Sequence, residues 1–368
     1  MKILFVAPLP PPVTGQTIAS SALLADLSHR HDVTAIDYSR RGLVRGIASG
    51  RHILEVAKVL WRVWRGKKGK DAVYFTITQS VAGNLKDLLI YAVSFDKLNR
   101  TVIHLHGGGL RDRIFEQSAV LAAWNRLFLR RVGGCVVLGE SLRGVFEGMV
   151  PAGKIHVVPN FAEAELFASP DTIRRKYDEV NPLRVLFLSN LIPGKGHMEL
   201  LKAWLEMERR SQGRVQLDFA GDFETETEER RFLETIRGKG GVRYHGLVQG
   251  NAKRDLLFNA HILCLPTYYP YEGQPIVLLE GYAAGCAVIT TRHAGIPDVF
   301  RTGENGFEVE KRSSRSIAEV LEGILRSPDV LYPMGRRNAD LAGVRFRKKY
   351  FSDRIASILE EVAKPSGG

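Results

Sequence analysis

The chain has 368 residues, too many for one ordinary hydrophobic core and enough for two domains. Hydrophobic residues at 45% and charged residues at 25% exclude a disordered or fibrous chain, and no run approaches the roughly 18 apolar residues of a spanning helix. A formal charge of +12 favours an anionic partner, which leaves a phosphorylated substrate, an anionic membrane surface or nucleic acid.

In chain order, short apolar runs alternate with helical patterns. Residues 2–7 are predicted as a buried strand, too short and too soon ended by Pro8 for a signal peptide. The loop 8–15 follows, then a helix over 16–28, a strand over 33–37 and a basic helix over 52–65. Strands are predicted at 72–76, 101–105, 135–138 and 155–158, with helices from 81 and over 114–131. Pro159-Asn160 opens a stretch rich in charge and proline that reaches Pro182, read as a linker at 166–182. Strands then recur at 184–188, 215–220, 242–244, 261–265, 287–290 and 306–309, with helices between them and from 314 onward. Residues 365–368 read as a frayed tail. Such alternation predicts α/β architecture: two doubly wound domains with parallel sheets covered on both faces. They are placed at 1–165 and 183–345, with a C-terminal helix in 346–368 returning toward the first domain. Ligands in such folds sit at the carboxyl ends of strands, so a shared cleft is expected. Cys135, Cys264 and Cys286 lie in apolar stretches without pairing or metal spacing, which predicts reduced thiols and a cytoplasmic protein.

The sharpest constellation is Tyr271-Glu272-Gly273-Gln274-Pro275-Ile276 and the helix after it, which carries Glu280. A strand, a loop and a helix N-terminus in that order make an anion-binding corner. Glu280 lies within Ile276-Val277-Leu278-Leu279-Glu280-Gly281, where a carboxylate is costly unless a ligand or partner satisfies it. Lys195, in Gly194-Lys195-Gly196 after a strand, sets a cation beside a second helix N-terminus. Position 190 is Asn, so the corner lacks the glycine spacing of a Walker loop. His106 ends a strand and meets three glycines that permit close backbone approach to a ligand. His104 shares its strand face, but no further ligand residue nearby suggests a metal. Gly15 opens the first helix and serves either a plain turn or close approach to a ligand. No Gly-x-Gly-x-x-Gly occurs, which disfavours a dinucleotide cofactor. Residues 51–70 hold seven Lys/Arg against one acid, Glu55. Lys58, Trp61, Arg62, Trp64, Arg65, Lys67 and Lys68 fit a helix lying on an anionic bilayer; a core-facing helix with a solvated basic stripe is the plainer alternative. Residues 111–131 add a second basic patch. No recognition motif suggests nucleic acid.

These features together resemble the retaining glycosyltransferases of family 4, with two Rossmann-like domains in the GT-B fold facing each other across a cleft. The resemblance spans nearly the whole chain and is most specific at Glu272 and Glu280, which match a Glu-x7-Glu signature. Gly15, His106, Val158-Pro159-Asn160, Lys195-Gly196 and Gly295-Ile296-Pro297-Asp298 support it. It implies transfer of a sugar from a UDP- or GDP-linked donor to a hydroxyl of a glycan acceptor. Glu280 would bind the donor ribose. Glu272 and the backbone of Gly273, Gln274, Pro275 and Ile276 would hold sugar and diphosphate. Lys195 would neutralise the leaving diphosphate, His106 would contact the sugar, and Leu247 would flank the base. Asn190 departs from the family, which usually has arginine there. No Asp-x-Asp motif occurs, so no metal and no cofactor is expected. The basic, apolar first domain suggests a lipid-linked saccharide acceptor, bacterial polysaccharide assembly, and a peripheral place on the inner membrane face. The alternatives are a sugar-nucleotide hydrolase or epimerase of this fold, and a non-catalytic membrane-associated binding protein.

Overall fold

The computed structural model describes residues 1–39, 50–211 and 213–364; for 50–53 and 209–211 it describes the backbone alone. Arg51 of the basic segment and the tail 365–368 therefore lie outside the described side chains. The chain divides into two compact units. Unit 1 comprises Met1–Asn160, Tyr271–Gln274 and Lys348–Gly368, and unit 2 comprises Phe161–Pro270 and Pro275–Arg347.

In unit 1 the strands are β1 (Lys2–Ala7), β2 (Asp32–Asp37), β3 (Ala72–Ile77), β4 (Thr101–Leu105), β5 (Gly134–Val137) and β6 (Ile155–Val157). They pair in parallel in the order β2-β1-β3-β4-β5-β6. β3 and β4 are buried at every position, because helices cover both faces and leave no place for a polar residue to reach water. The helices are α1 (Gly15–Arg30), α2 (Gly50–Gly66), α3 (Val81–Val93) and α4 (Ala119–Leu129). Sequence periodicity joins 114–131 into one helix. The structure instead has a π-helical turn at Arg111–Phe115 and starts α4 afresh, because the Ser118 hydroxyl accepts from Leu121 N and caps it.

In unit 2, β7 (Leu183–Leu188), β8 (Val215–Ala220), β9 (Val242–Tyr244), β10 (Ile262–Leu265), β11 (Ala287–Thr290) and β12 (Gly306–Glu308) pair in parallel. Their order is β12-β11-β10-β7-β8-β9. The helices are α5 (Pro170–Asp178), α6 (His197–Ser211), α7 (Glu226–Ile236), α8 (Gly250–Asn259), α9 (Ile276–Ala283), α10 (Ser314–Arg326) and α11 (Leu331–Arg345). α5 occupies the stretch expected as linker. The Ser169 hydroxyl caps it by accepting from Thr172 N, and Pro170 stands in its first turn, so the proline that suggested a linker begins a helix. The last helix, α12 (Lys348–Ala363), belongs to unit 1 and packs against α1, β3 and β4, with Phe351, Ile355 and Leu359 buried.

The strand orders locate the two places where a doubly wound sheet binds ligands. Helices leave opposite faces at the point where the order reverses, which opens a crevice at the carboxyl ends there. In unit 1 that point lies between β1 and β3, and in unit 2 between β7 and β10.

Candidate functional site

Unit 2 sets Gly194-Lys195-Gly196 after β7 and the turn from Pro266 after β10, the two loops flanking its reversal point. Tyr268 N donates to Gly194 O at 2.7 Å and ties them together. Gly194 and Gly196 have φ of +95° and +88°, and a Cβ on Gly196 would sit 2.5 Å from Pro266 O. Glycine on both sides of the lysine is thus a steric demand of two loops packed backbone to backbone. Lys195 Nζ lies 4.9 Å from the Tyr269 ring centroid. Asn190, half-buried, sits between Ser189 N, which donates to Ala220 O, and Leu191 N, which donates to Asp222 O. Gly221 N donates to Gly246 O at 2.8 Å, which brings in the loop carrying exposed Leu247. The loops after β7, β8, β9 and β10 therefore form one hydrogen-bonded rim.

α9 rises from this rim. Pro275 is its N-cap residue and supplies no side-chain cap, so the first-turn N–H groups, Ile276 N among them, are not used by a capping side chain. Glu280 follows one turn in, 3% exposed. The protein satisfies it from α8: Lys253 Nζ donates to Glu280 Oε1 at 2.6 Å and to Glu163 Oε2 at 3.0 Å. Burial pushes the Glu280 carboxyl up and Lys253 pulls it back. Burial opposes the charge on Lys253, but Glu280 and Glu163 outweigh it and hold the ammonium above its ordinary value. Lys253 escapes notice in the sequence because it stands in a polar run, Asn251-Ala252-Lys253-Arg254-Asp255, that reads as a solvated helix face.

Unit 1 holds the other predicted residues. His106 follows β4, and its ring stacks on that of His104 at 3.9 Å. His104 is fully buried and bonded through Nδ1 to Tyr74 Oη at 2.7 Å, a structural role. His106 Nε2 is buried without a hydrogen-bond partner among the described residues. Burial pushes the His106 pKa down to about 3, so the ring is neutral at physiological pH. Gly108 N donates to Glu272 O at 2.7 Å, and a Cβ on Gly273 would stand 2.1 Å from His106 O. Gly273 is glycine because His106 leaves no room for more. Glu272 itself is buried. Gln274, expected among the donor contacts, has its side chain committed: Oε1 accepts from Asn160 N at 2.8 Å and Nε2 donates to Leu138 O at 2.9 Å. Its carbonyl accepts from Asn160 Nδ2 at 2.8 Å. Gln274 is a brace, and the Val158-Pro159-Asn160 motif ends on the residue it grips. Gln79, after β3, is a second brace that the sequence hides in a polar loop. Its Oε1 accepts from Gly109 N and its Nε2 donates to Tyr271 O. Arg113 stacks on Tyr271 at 4.2 Å. Gly15, exposed, is the first residue of α1, whose cap is a reciprocal Thr14–Thr17 pair.

With this geometry in place, comparison with known proteins decides the class. Residues 170–339 match the family model described as glycosyl transferases group 1. The chain is a glycosyltransferase. The enzyme is 26% identical over 282 residues to a GDP-mannose-dependent alpha-(1-6)-phosphatidylinositol monomannoside mannosyltransferase of Mycobacterium tuberculosis, covering 68% of this chain and 71% of that protein. It is 23% identical over 185 residues to a putative colanic acid biosynthesis glycosyltransferase of Escherichia coli, 49% of this chain and 45% of that one. Its fold is that of Anabaena Alr3699/HepE, solved with UDP and glucose, at a TM-score of 0.73 and 17% identity over 98% of this chain and 99% of that one. WaaG, involved in lipopolysaccharide biosynthesis, matches at 0.72 and 13% over the whole of both chains. The glycosyltransferase therefore has the GT-B fold of two Rossmann-like units.

The residues expected on a membrane lie on α2 of unit 1. Lys58, Trp61, Arg62, Trp64, Arg65 and Lys68 are exposed, with Trp61 at 56%. Arg65 stacks on Trp61 and Lys68 on Trp64. Lys67 differs: it is half-buried and ion-paired with Asp96, so its charge is already answered. α2 packs beside α3, and α3 beside α4. These neighbours expose Leu85, Leu89, Val120 and Trp124, a series the sequence reading did not include. Among the described residues no helix is long and apolar enough to cross a membrane.

Proposed function

We propose that the enzyme is a family 4 transferase that moves a sugar, with retention and without a metal, from a UDP- or GDP-linked donor to a hydroxyl of a lipid-linked glycan. The observation that carries this reading is the unit 2 rim: Lys195 and the uncapped N-terminus of α9 occupy the two loops flanking the sheet's reversal point, with Glu280 one turn deeper. A cation and helix N–H groups recognise a diphosphate, and a carboxylate recognises ribose hydroxyls. Glu280 takes the ribose, Leu247 lies against the base, and Asn190 donates to phosphate without the charge of the usual arginine. His106, neutral, and Glu272 accept from hydroxyls of the sugar. The bond from the anomeric carbon to the diphosphate oxygen breaks as the acceptor oxygen bonds from the same face, and the acceptor proton passes to the departing oxygen. Lys195 and the N–H groups stabilise the charge growing on the phosphate.

The named relatives support a bacterial glycoconjugate setting, and the M. tuberculosis relative supports an acceptor on a lipid. The face formed by α2, α3 and α4 supports a peripheral place on an anionic membrane. An apolar patch edged by Lys and Arg gains from both acyl burial and headgroup charge. Product analysis tests the reaction. Incubated with its donor and a lipid-linked acceptor in excess chelator, the enzyme is expected to release nucleoside diphosphate and form a glycoside of unchanged anomeric configuration. Free sugar or an epimerised nucleotide as the sole product would instead establish the hydrolase or epimerase reading.

A further inference from the structure

Glu280 cannot do its proposed work alone. A carboxylate 3% exposed inside an apolar helix turn takes up a proton unless a cation answers it, and a carboxylic acid is a poor acceptor for two ribose hydroxyls. The nearest turn of α9 offers none, since Ile276–Ala283 carries no other charge. The cation comes from α8. Lys253, itself 8% exposed, reaches Glu280 Oε1 and spends a second proton on Glu163 Oε2. Glu163 is partly exposed and lies just beyond the point where unit 2 begins. The ammonium is therefore fixed from two sides, and it meets Glu280 through one oxygen.

The geometry points to Lys253 as a positioning residue for nucleotide recognition: braced by Glu163, it keeps Glu280 ionised and turned so that Oε2 is presented to the ribose diol. This inference rests on the proposed ribose role of Glu280. It assigns the specificity for a ribonucleotide donor to a three-residue relay, Glu163–Lys253–Glu280, in which Lys253 touches no substrate.

The test uses the full chain and calorimetric titration of UDP and GDP, each beside its 2′-deoxy and 3′-deoxy counterparts. Lys253→Met is expected to weaken the better ribonucleotide about tenfold or more, the worth of a charge-assisted hydrogen bond, while the deoxy forms change little. Discrimination between ribose and deoxyribose thus collapses, which a merely structural role would not produce. Lys253→Arg is expected to restore most of it. Lys253→Gln, which keeps a donor and loses the charge, is expected to bind better as pH rises from 6 to 9 and Glu280 ionises. That variant carries the test should the Met variant not fold. If Glu280→Gln keeps full discrimination, the ribose reading of Glu280 fails. If Glu280→Gln loses it and the Lys253 variants keep it at every pH, the relay alone is overturned.

Discussion

At the scale of single residues, Lys195 stands between two glycines that have no conformational alternative. The backbone that carries it is packed against the loop from Pro266 to Tyr269. Lys195→Ala is expected to lower kcat about 10²–10³-fold, as removal of one group stabilising transition-state charge does, while folding is unchanged. Initial rates and melting curves check this, and a variant with wild-type kcat would remove Lys195 from the chemistry. Gly196→Ala belongs to the same corner. A left-handed φ and a Cβ 2.5 Å from Pro266 O are expected to cost about 1–3 kcal/mol, read as a lowered Tm. The buried histidines make a prediction in pH. Burial pushes His106 and His261 down to about 3 and His197 down to about 4, each below the ~6.5 of the unfolded chain. A folded pKa below the unfolded one contributes stability that is complete above about pH 6.5 and is lost as pH falls toward 4. Tm is expected to drop between pH 7 and pH 4.5, and His197→Gln is expected to drop less; equal slopes would contradict this.

At the scale of elements, each strand overlaps a strand read in the sequence, and the central ones are plainest because a strand covered on both faces is written as a short, mostly apolar stretch. The misreadings occur where a single polar side chain decides. Ser118 restarts a helix and Ser169 begins one beside Pro170, and neither capping bond leaves a periodic trace. Site residues divide likewise. Glu280 is legible because a carboxylate interrupts an apolar helix. Lys253, Gln79 and the bracing role of Gln274 are not, since each depends on a partner between 27 and 192 positions away. On α2, periodicity cannot tell a tryptophan facing the core from one facing out. The structure faces Val63 inward and Trp61 and Trp64 outward. Trp61→Ser with Trp64→Ser is therefore expected to leave Tm unchanged and to abolish sedimentation with anionic vesicles. Retained sedimentation would remove α2 from the membrane face.

At the scale of the whole molecule, the +12 charge falls unevenly, with seven Lys/Arg against one acid between residues 51 and 70 of unit 1. Lys195 and Glu280, the residues proposed for the donor, belong to unit 2. Vesicle binding should therefore weaken with salt and donor binding should not depend on the α2 cations. The central claim is that unit 2 recognises a nucleoside-diphosphate sugar through Lys195, Glu280 and the N-terminus of α9. The most direct measurement is thermal unfolding against a panel of UDP-, GDP- and ADP-sugars, in the wild type and in Lys195→Ala and Glu280→Gln. The expected result is stabilisation by one nucleotide class, about 2.7 kcal/mol at 100 times its Kd, and its loss in both variants. No shift with any member of the panel, or the same shift in all three proteins, would contradict the claim.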